Sequence, residues 1–251
     1  MEKKKPHRGV YLLPNMITTL SMFFGFLAMV WAVQSRYETS GMAILLAALM
    51  DGLDGKVARL TNTASEFGVQ YDSLADMVAF GLAPAFLLWQ WQLQHFSRLG
   101  VAAAFIYTAC GALRLARFNI SNTAVGKYFF IGLPIPAGGC TIVSFIFFAA
   151  VLPNFLTPAT PYAALFLTIG TGVLMVSSVR YFSFKEYALL RAHPVRAMLV
   201  FLFLLAFVIS FPRFMGFFLC IIYITGGLVY TFFILPRRNR QLLRALSLTD
   251  N

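Results

Sequence analysis

Eight apolar runs, at about 17–33, 41–59, 72–92, 99–119, 135–152, 161–179, 197–211 and 214–235, take up most of this 251-residue chain. Most approach the roughly 20 residues that a helix needs to cross the hydrocarbon of a bilayer, with tilt accommodating the rest. In hydrocarbon a backbone must satisfy its own hydrogen bonds, so runs of this kind fold as helices. Hydrophobic residues make up 59% of the chain and charged residues 12%, which leaves no stretch for a soluble domain. The expectation is an all-α polytopic membrane protein of about eight transmembrane helices. The run 197–211 is the shortest, and Pro212 separates it only narrowly from the next, so the range is six to eight. Residues 1–235 read as one transmembrane catalytic domain and 236–251 as a basic cytoplasmic tail.

Charge placement orients the bundle. With Met1 in the cytoplasm and eight spans, all 20 lysines and arginines except Arg36, Arg98 and Arg213 fall on the inner side, and both termini are cytoplasmic. The net charge of +11 then sets topology and touches anionic headgroups of membrane lipids. Nucleic acid is not an expected partner, because no basic soluble domain exists to carry it. The first run is long for a signal peptide and lacks a convincing cleavage site, so it reads as an uncleaved span. Cys110, Cys140 and Cys220 lie in separate runs without paired spacing and read as packing residues.

Against this apolar background stand four aspartates within 26 positions, in a chain with nine acidic residues in all. The sequence is Asp51-Gly-Leu-Asp54-Gly55-Lys-Val-Ala58-Arg59, eight further residues, then Gly68-Val-Gln-Tyr-Asp72-Ser-Leu-Ala-Asp76. At about 100° per residue, Asp51, Asp54, Gly55 and Ala58 share one sector of a helix with Arg59 at its edge. Asp72 and Asp76, four apart, share a face of the next helix. The motif helices are expected at about 41–60 and 68–92, joined by a polar turn through Asn62. Asp51 would then lie roughly 15 Å into its span, about half the hydrocarbon depth, a position tolerated only in a water-filled cavity. Four converging carboxylates cannot all stay ionised without cations, and hard divalent ions suit oxygen ligands.

The pattern D-x2-D-G-x2-A-R-x8-G-x3-D-x3-D resembles the signature of the CDP-alcohol phosphotransferases, at all eight fixed positions. That resemblance implies transfer of a substituted phosphate from a cytidine diphosphate compound to an alcohol, with release of CMP. It assigns Asp51, Asp54, Asp72 and Asp76 to one or two Mg2+ or Mn2+ ions, and Asp76, last in the pattern, to the general base as well. Gly55, Ala58, Arg59 and Gly68 would bind the CDP donor: two glycines for close backbone approach, a small alanine on the same face, and a guanidinium to pair with phosphates or brace the aspartates. The competing readings are helix packing for the small residues and a cation pathway for the carboxylates, as in a divalent-cation transporter.

Flanking blocks narrow the resemblance. Leu13-Pro14-Asn15 with Thr18, Asp72-Ser-Leu-Ala-Asp76-Met-Val-Ala-Phe80-Gly81, Leu113-Arg114-Leu-Ala-Arg117-Phe-Asn119 and Gly132-Leu133-Pro134-Ile-Pro136 are similar to the bacterial membrane-integral phosphatidylserine synthase branch of that family. The branch implies CDP-diacylglycerol and L-serine as substrates, a homodimer, and an inner (cytoplasmic) membrane location with the site facing the cytoplasm. Arg114 and Arg117, three apart, could present paired donors to an acceptor carboxylate or phosphate, or could serve as topology-setting snorkellers. Asn62, Ser65 and Glu66 are further acceptor candidates, with turn and cap roles as the alternative. Glycerol 3-phosphate or inositol as acceptor, and an ether-lipid donor, are the variants of the same chemistry.

Overall fold

Helix α1 (Leu12–Val33) and helix α2 (Tyr37–Leu60) form a hairpin, and small side chains explain how closely they approach. Ala28, Ala32, Ala43 and Ala47 are fully buried along the contact. Ser21 Oγ donates to the Ala47 carbonyl at 3.0 Å and Ser40 Oγ to the Ala28 carbonyl at 2.6 Å. Close backbones and interhelical hydrogen bonds are the means by which helices associate where water provides no hydrophobic drive. The computed structural model describes residues 12–61, 65–120, 129–182 and 212–235.

The second motif helix, α3 (Glu66–Asp76), runs through a π-helical turn (Met77–Leu82) into α4 (Ala83–Trp91). Pro84 lies just beyond that turn and has no N–H to offer the Phe80 carbonyl one α-turn earlier. The buried Tyr107 hydroxyl donates to that carbonyl instead, at 2.9 Å. Gly25 of α1 fits against the same turn, where a β-carbon would lie 2.6 Å from Ala79 Cα. Helices α5 (Arg98–Ile120), α6 (Ile135–Ala149), α7 (Thr160–Val176) and α8 (Pro212–Val229) complete the bundle, α5 packing on α7 and α6 on α2 and α8. Phe80, Leu87, Leu88, Tyr107, Ile135 and Ile142 fill the centre. Phe23, Phe26, Phe105, Phe166 and Phe232 point outward, a surface suited to lipid rather than water.

Among the described residues, five segments are long and apolar enough to cross a membrane: Leu13–Val33, Glu66–Trp91, Arg98–Ile120, Thr157–Val176 and Arg213–Phe233. α2 is long enough but carries the motif charges, and α6, with 15 residues, reaches only about 22 Å. The run 197–211 and the tail 236–251 lie outside the described residues. Two features differ from the sequence expectation. The motif helices begin earlier, at Tyr37 and Glu66. The chain is also not wholly helical, since β1 (Phe129–Ile131) pairs antiparallel with β2 (Arg180–Phe182). Gly132, at φ 79°, turns the chain out of β1 toward α6, and its N–H donates to the Val179 carbonyl at 2.8 Å.

Candidate active site

Local caps bring the two motif helices to one place. The Thr61 backbone N–H and hydroxyl both donate to the Val57 carbonyl and close α2, at 2.9 and 2.7 Å. Ser65 Oγ then accepts the Gly68 N–H at 3.0 Å and starts α3, as an N-cap does. Asn62, between them, lies outside the described residues. With the helices so placed, Asp51 of α2 and Asp72 and Asp76 of α3 each bring a carboxylate oxygen within 4.8 Å of the others. Oxygens sharing one hard cation, at 2.0–2.6 Å from it, stand about 3–5 Å apart, so this nest fits such an ion. Asp72 Oδ1 is buried there with no hydrogen-bond partner among the described residues. A buried, unpartnered carboxylate oxygen is costly without a positive charge beside it.

Asp54 stands at the margin of the nest. Its carboxylate, 5% exposed, accepts a hydrogen bond of 2.6 Å from the buried Thr18 hydroxyl of α1. It is near enough to Asp51 and Asp72 for their charges to repel. The reason lies in the helical register: Asp54 is turned about 60° from Asp51, toward α1. The sequence expectation of four carboxylates in one cavity meets three that converge within 4.8 Å and a fourth, Asp54, bonded to Thr18.

Asp54 and Asp72 also border a cleft of about 200 Å3, lined by Pro14, Asn15, Thr18, Asp54, Gly55, Ala58, Arg59, Ser65, Gly68, Val69 and Asp72. All four residues expected at the donor are there. A β-carbon on Gly55 would meet nothing within 4 Å, so this backbone is open to an incoming ligand. Arg59 Nε donates to the Gly55 carbonyl at 2.8 Å, and among the described residues it pairs with no aspartate.

The acceptor candidates are scattered. Ser65 lines the cleft as well as capping α3, whereas Glu66 is exposed in the first turn. Arg114 lies among buried groups, interacts electrostatically with Asp76 and sits 6.0 Å from the Phe118 ring centroid. Arg117 instead donates to the Val176 carbonyl of α7 at 3.4 Å, so the two arginines do not act as one fork. Asn15 and Thr18 reach the cleft although the aspartate motif does not name them; their signal was the Leu13-Pro14-Asn15 block with Thr18. A larger cavity of about 1060 Å3 opens at the other end of α2, between Arg36, His95 and Tyr162. Among the described residues its one acid is Glu38, which bonds Arg213 at 3.2 Å, and no carboxylate nest forms there.

A helical bundle with an apolar exterior, a buried carboxylate nest and an adjoining glycine-lined cleft defines a membrane protein with a site whose carboxylates could hold a metal ion. The chain belongs to the CDP-alcohol phosphatidyltransferase family, whose sequence profile matches residues 11–175. It is 40% identical over 184 residues to a CDP-diacylglycerol–serine O-phosphatidyltransferase of Helicobacter pylori, covering 72% of this chain and 76% of that one. It is 34% identical over 222 residues to a protein of the same name from Methanocaldococcus jannaschii, covering 88% of this chain and 95% of the other. An archaetidylserine synthase of Methanothermobacter thermautotrophicus is 36% identical over 171 residues, covering 67% and 69%.

Proposed function

We propose that this protein transfers the phosphatidyl group of CDP-diacylglycerol to L-serine, forming phosphatidylserine and releasing CMP. The observation that carries the reading is the convergence of Asp51, Asp72 and Asp76 within 4.8 Å, beside a cleft lined by Gly55 and Gly68 in which the Gly55 backbone is open. The names of the relatives supply serine as acceptor.

Each residue then has a task. Asp51, Asp72 and Asp76, with Asp54 at their margin, would hold one or two Mg2+ or Mn2+ ions, which when bound offset the diphosphate charge and stabilise the leaving CMP. The open backbone at Gly55, with Gly68 packed closely against Ser65 and Asn15, and the small Ala58 admit the cytidine end of the donor, and Arg59 supplies a cation at the rim. Asp76 takes the proton of the serine hydroxyl. The serine oxygen bonds to the phosphorus that carries diacylglycerol, and the bond from that phosphorus to CMP breaks. Among the described residues no cysteine or histidine lines the cleft, which fits direct displacement. The bundle is assigned eight spans over residues 1–235 with a cytoplasmic tail at 236–251. Both termini and the site face the cytoplasm of the inner membrane, and the protein works as a homodimer.

The test is CMP release by detergent-purified protein supplied with CDP-diacylglycerol, Mn2+ or Mg2+, and serine, glycerol 3-phosphate or inositol in turn. An ether-lipid donor is the second to offer, since one relative is named archaetidylserine synthase. Serine-dependent CMP is the expected result. CMP with another alcohol alone would overturn the acceptor. Uptake of Mn2+ into reconstituted vesicles without any CDP-lipid, and no CMP with any acceptor, would favour a transporter.

A further inference from the structure

Gln70, Ser73 and Asp76 follow one another at three-residue steps along a ridge of α3, and that ridge meets α5 at Arg114 and Asn119. Asn119 spends both its N–H donors on this ridge: Nδ2 lies 3.2 Å from Gln70 Oε1 and 3.1 Å from Ser73 Oγ. Ser73 has a single proton, and the Val69 carbonyl at 3.1 Å takes it, which leaves Ser73 Oγ free to accept from Asn119. The competing contact, Ser73 to Asn119 Oδ1, is longer at 3.3 Å. The two N–H contacts fix the amide, and Asn119 Oδ1, with two lone pairs and, among the described residues, only the 3.3 Å contact to Ser73, keeps one acceptor position free. At the other end of the seam, the Arg114 Nε–H is buried with no acceptor among the described residues. Arg114 and Asn119 are five residues apart on α5, about 7.5 Å of axial rise, and their partners Asp76 and Ser73 place both on the seam with α3.

From this seam we infer that Asn119 Oδ1, braced by Gln70 and Ser73, binds the ammonium group of the acceptor while Arg114 takes its carboxylate, making Asn119 a residue that selects an amino acid over other alcohols. The inference rests on the reading of Asp76 as the base and serine as the acceptor. It gives the seam a chemical logic: a neutral carbonyl accepts from an ammonium, and a guanidinium can bond a carboxylate.

The experiment compares serine with 3-hydroxypropionate, which keeps the hydroxyl and carboxylate but lacks the ammonium, in wild type, Asn119→Leu and Asn119→Asp. Wild type should prefer serine in kcat/KM by at least about 100-fold, as sites that hydrogen-bond a substrate group do. Asn119→Leu should lower kcat/KM for serine about 10- to 150-fold, leaving that for 3-hydroxypropionate and the KM for CDP-diacylglycerol unchanged. Asn119→Asp keeps an oxygen for the ammonium but gives up both N–H braces, so its preference for serine should lie between those of wild type and Asn119→Leu. Should Asn119→Leu fail to fold, Ser73→Ala, which removes one brace of the amide, carries the same comparison and should narrow the preference. An equal fall for both acceptors, or an unchanged preference in Asn119→Leu, would overturn the inference. Wild type releasing no CMP with serine would refute the acceptor assignment itself, whatever Asn119 does.

Discussion

The contact between Thr18 and Asp54 makes a sharp prediction, because it joins two buried side chains from different helices through one hydrogen bond. Thr18→Val replaces the hydroxyl with a methyl of nearly the same shape, so packing between α1 and α2 is kept. What is lost is a 2.6 Å bond to a carboxylate that is 5% exposed, where solvent cannot substitute. A hydrogen bond to a charged group is worth about 1.5–3 kcal/mol, and that range converts to a factor of about 10–150. Thr18 also lies 3.1 Å from the Pro14 carbonyl, but its one proton favours the shorter bond to the carboxylate. The loss should therefore appear in kcat/KM for CDP-diacylglycerol, measured as CMP release at saturating serine and Mn2+. Thr18→Ser, which restores the donor, should recover most of it. A Thr18→Val enzyme as active as wild type, or a Thr18→Ser enzyme as impaired as the valine variant, would refute the reasoning.

Other consequences follow from the same structure. Gly25→Ala places a β-carbon 2.6 Å from Ala79 Cα and should cost about 1–3 kcal/mol in a detergent melt, whereas Gly170→Ala, with nothing within 4 Å, should not. Tyr107→Phe strips the Phe80 carbonyl of its donor and should lower stability by about 1–3 kcal/mol; Pro84→Ala in that background should restore part of it by supplying an N–H. Asp72→Asn should weaken Mn2+ binding, followed by electron paramagnetic resonance, on the order of tenfold or more. EDTA should abolish CMP release by wild type, and added Mn2+ or Mg2+ should recover it.

The sequence carried more of the site than of its surroundings, for a physical reason. Helical register is local, so the spacing of Asp72 and Asp76 already put them on one face, and the runs already marked most helices. Contacts between helices are not local. Nothing in the spacing of Arg114 and Arg117 told that one would lie by Asp76 and the other by the Val176 carbonyl, since a shared face does not fix which neighbour each long side chain meets. The partition of the aspartates was hidden too, because the donor that draws Asp54 aside sits 36 residues earlier on α1. Asn119 stood in a recognised block, but its role depends on Ser73 and Gln70 across the bundle. The ribbon of β1 and β2 joins residues about 50 apart, and three-residue strands leave no periodic trace.

The central claim is that the carboxylate nest performs the transfer, with Asp76 accepting the proton. The most direct measurement is serine-dependent CMP release by Asp76→Asn and wild type at matched Mn2+ occupancy, with occupancy read by electron paramagnetic resonance. Loss of a general base predicts a fall of about 10²–10⁴-fold in kcat with the KM for CDP-diacylglycerol retained. An Asp76→Asn protein that turns over serine at the wild-type rate would contradict the account.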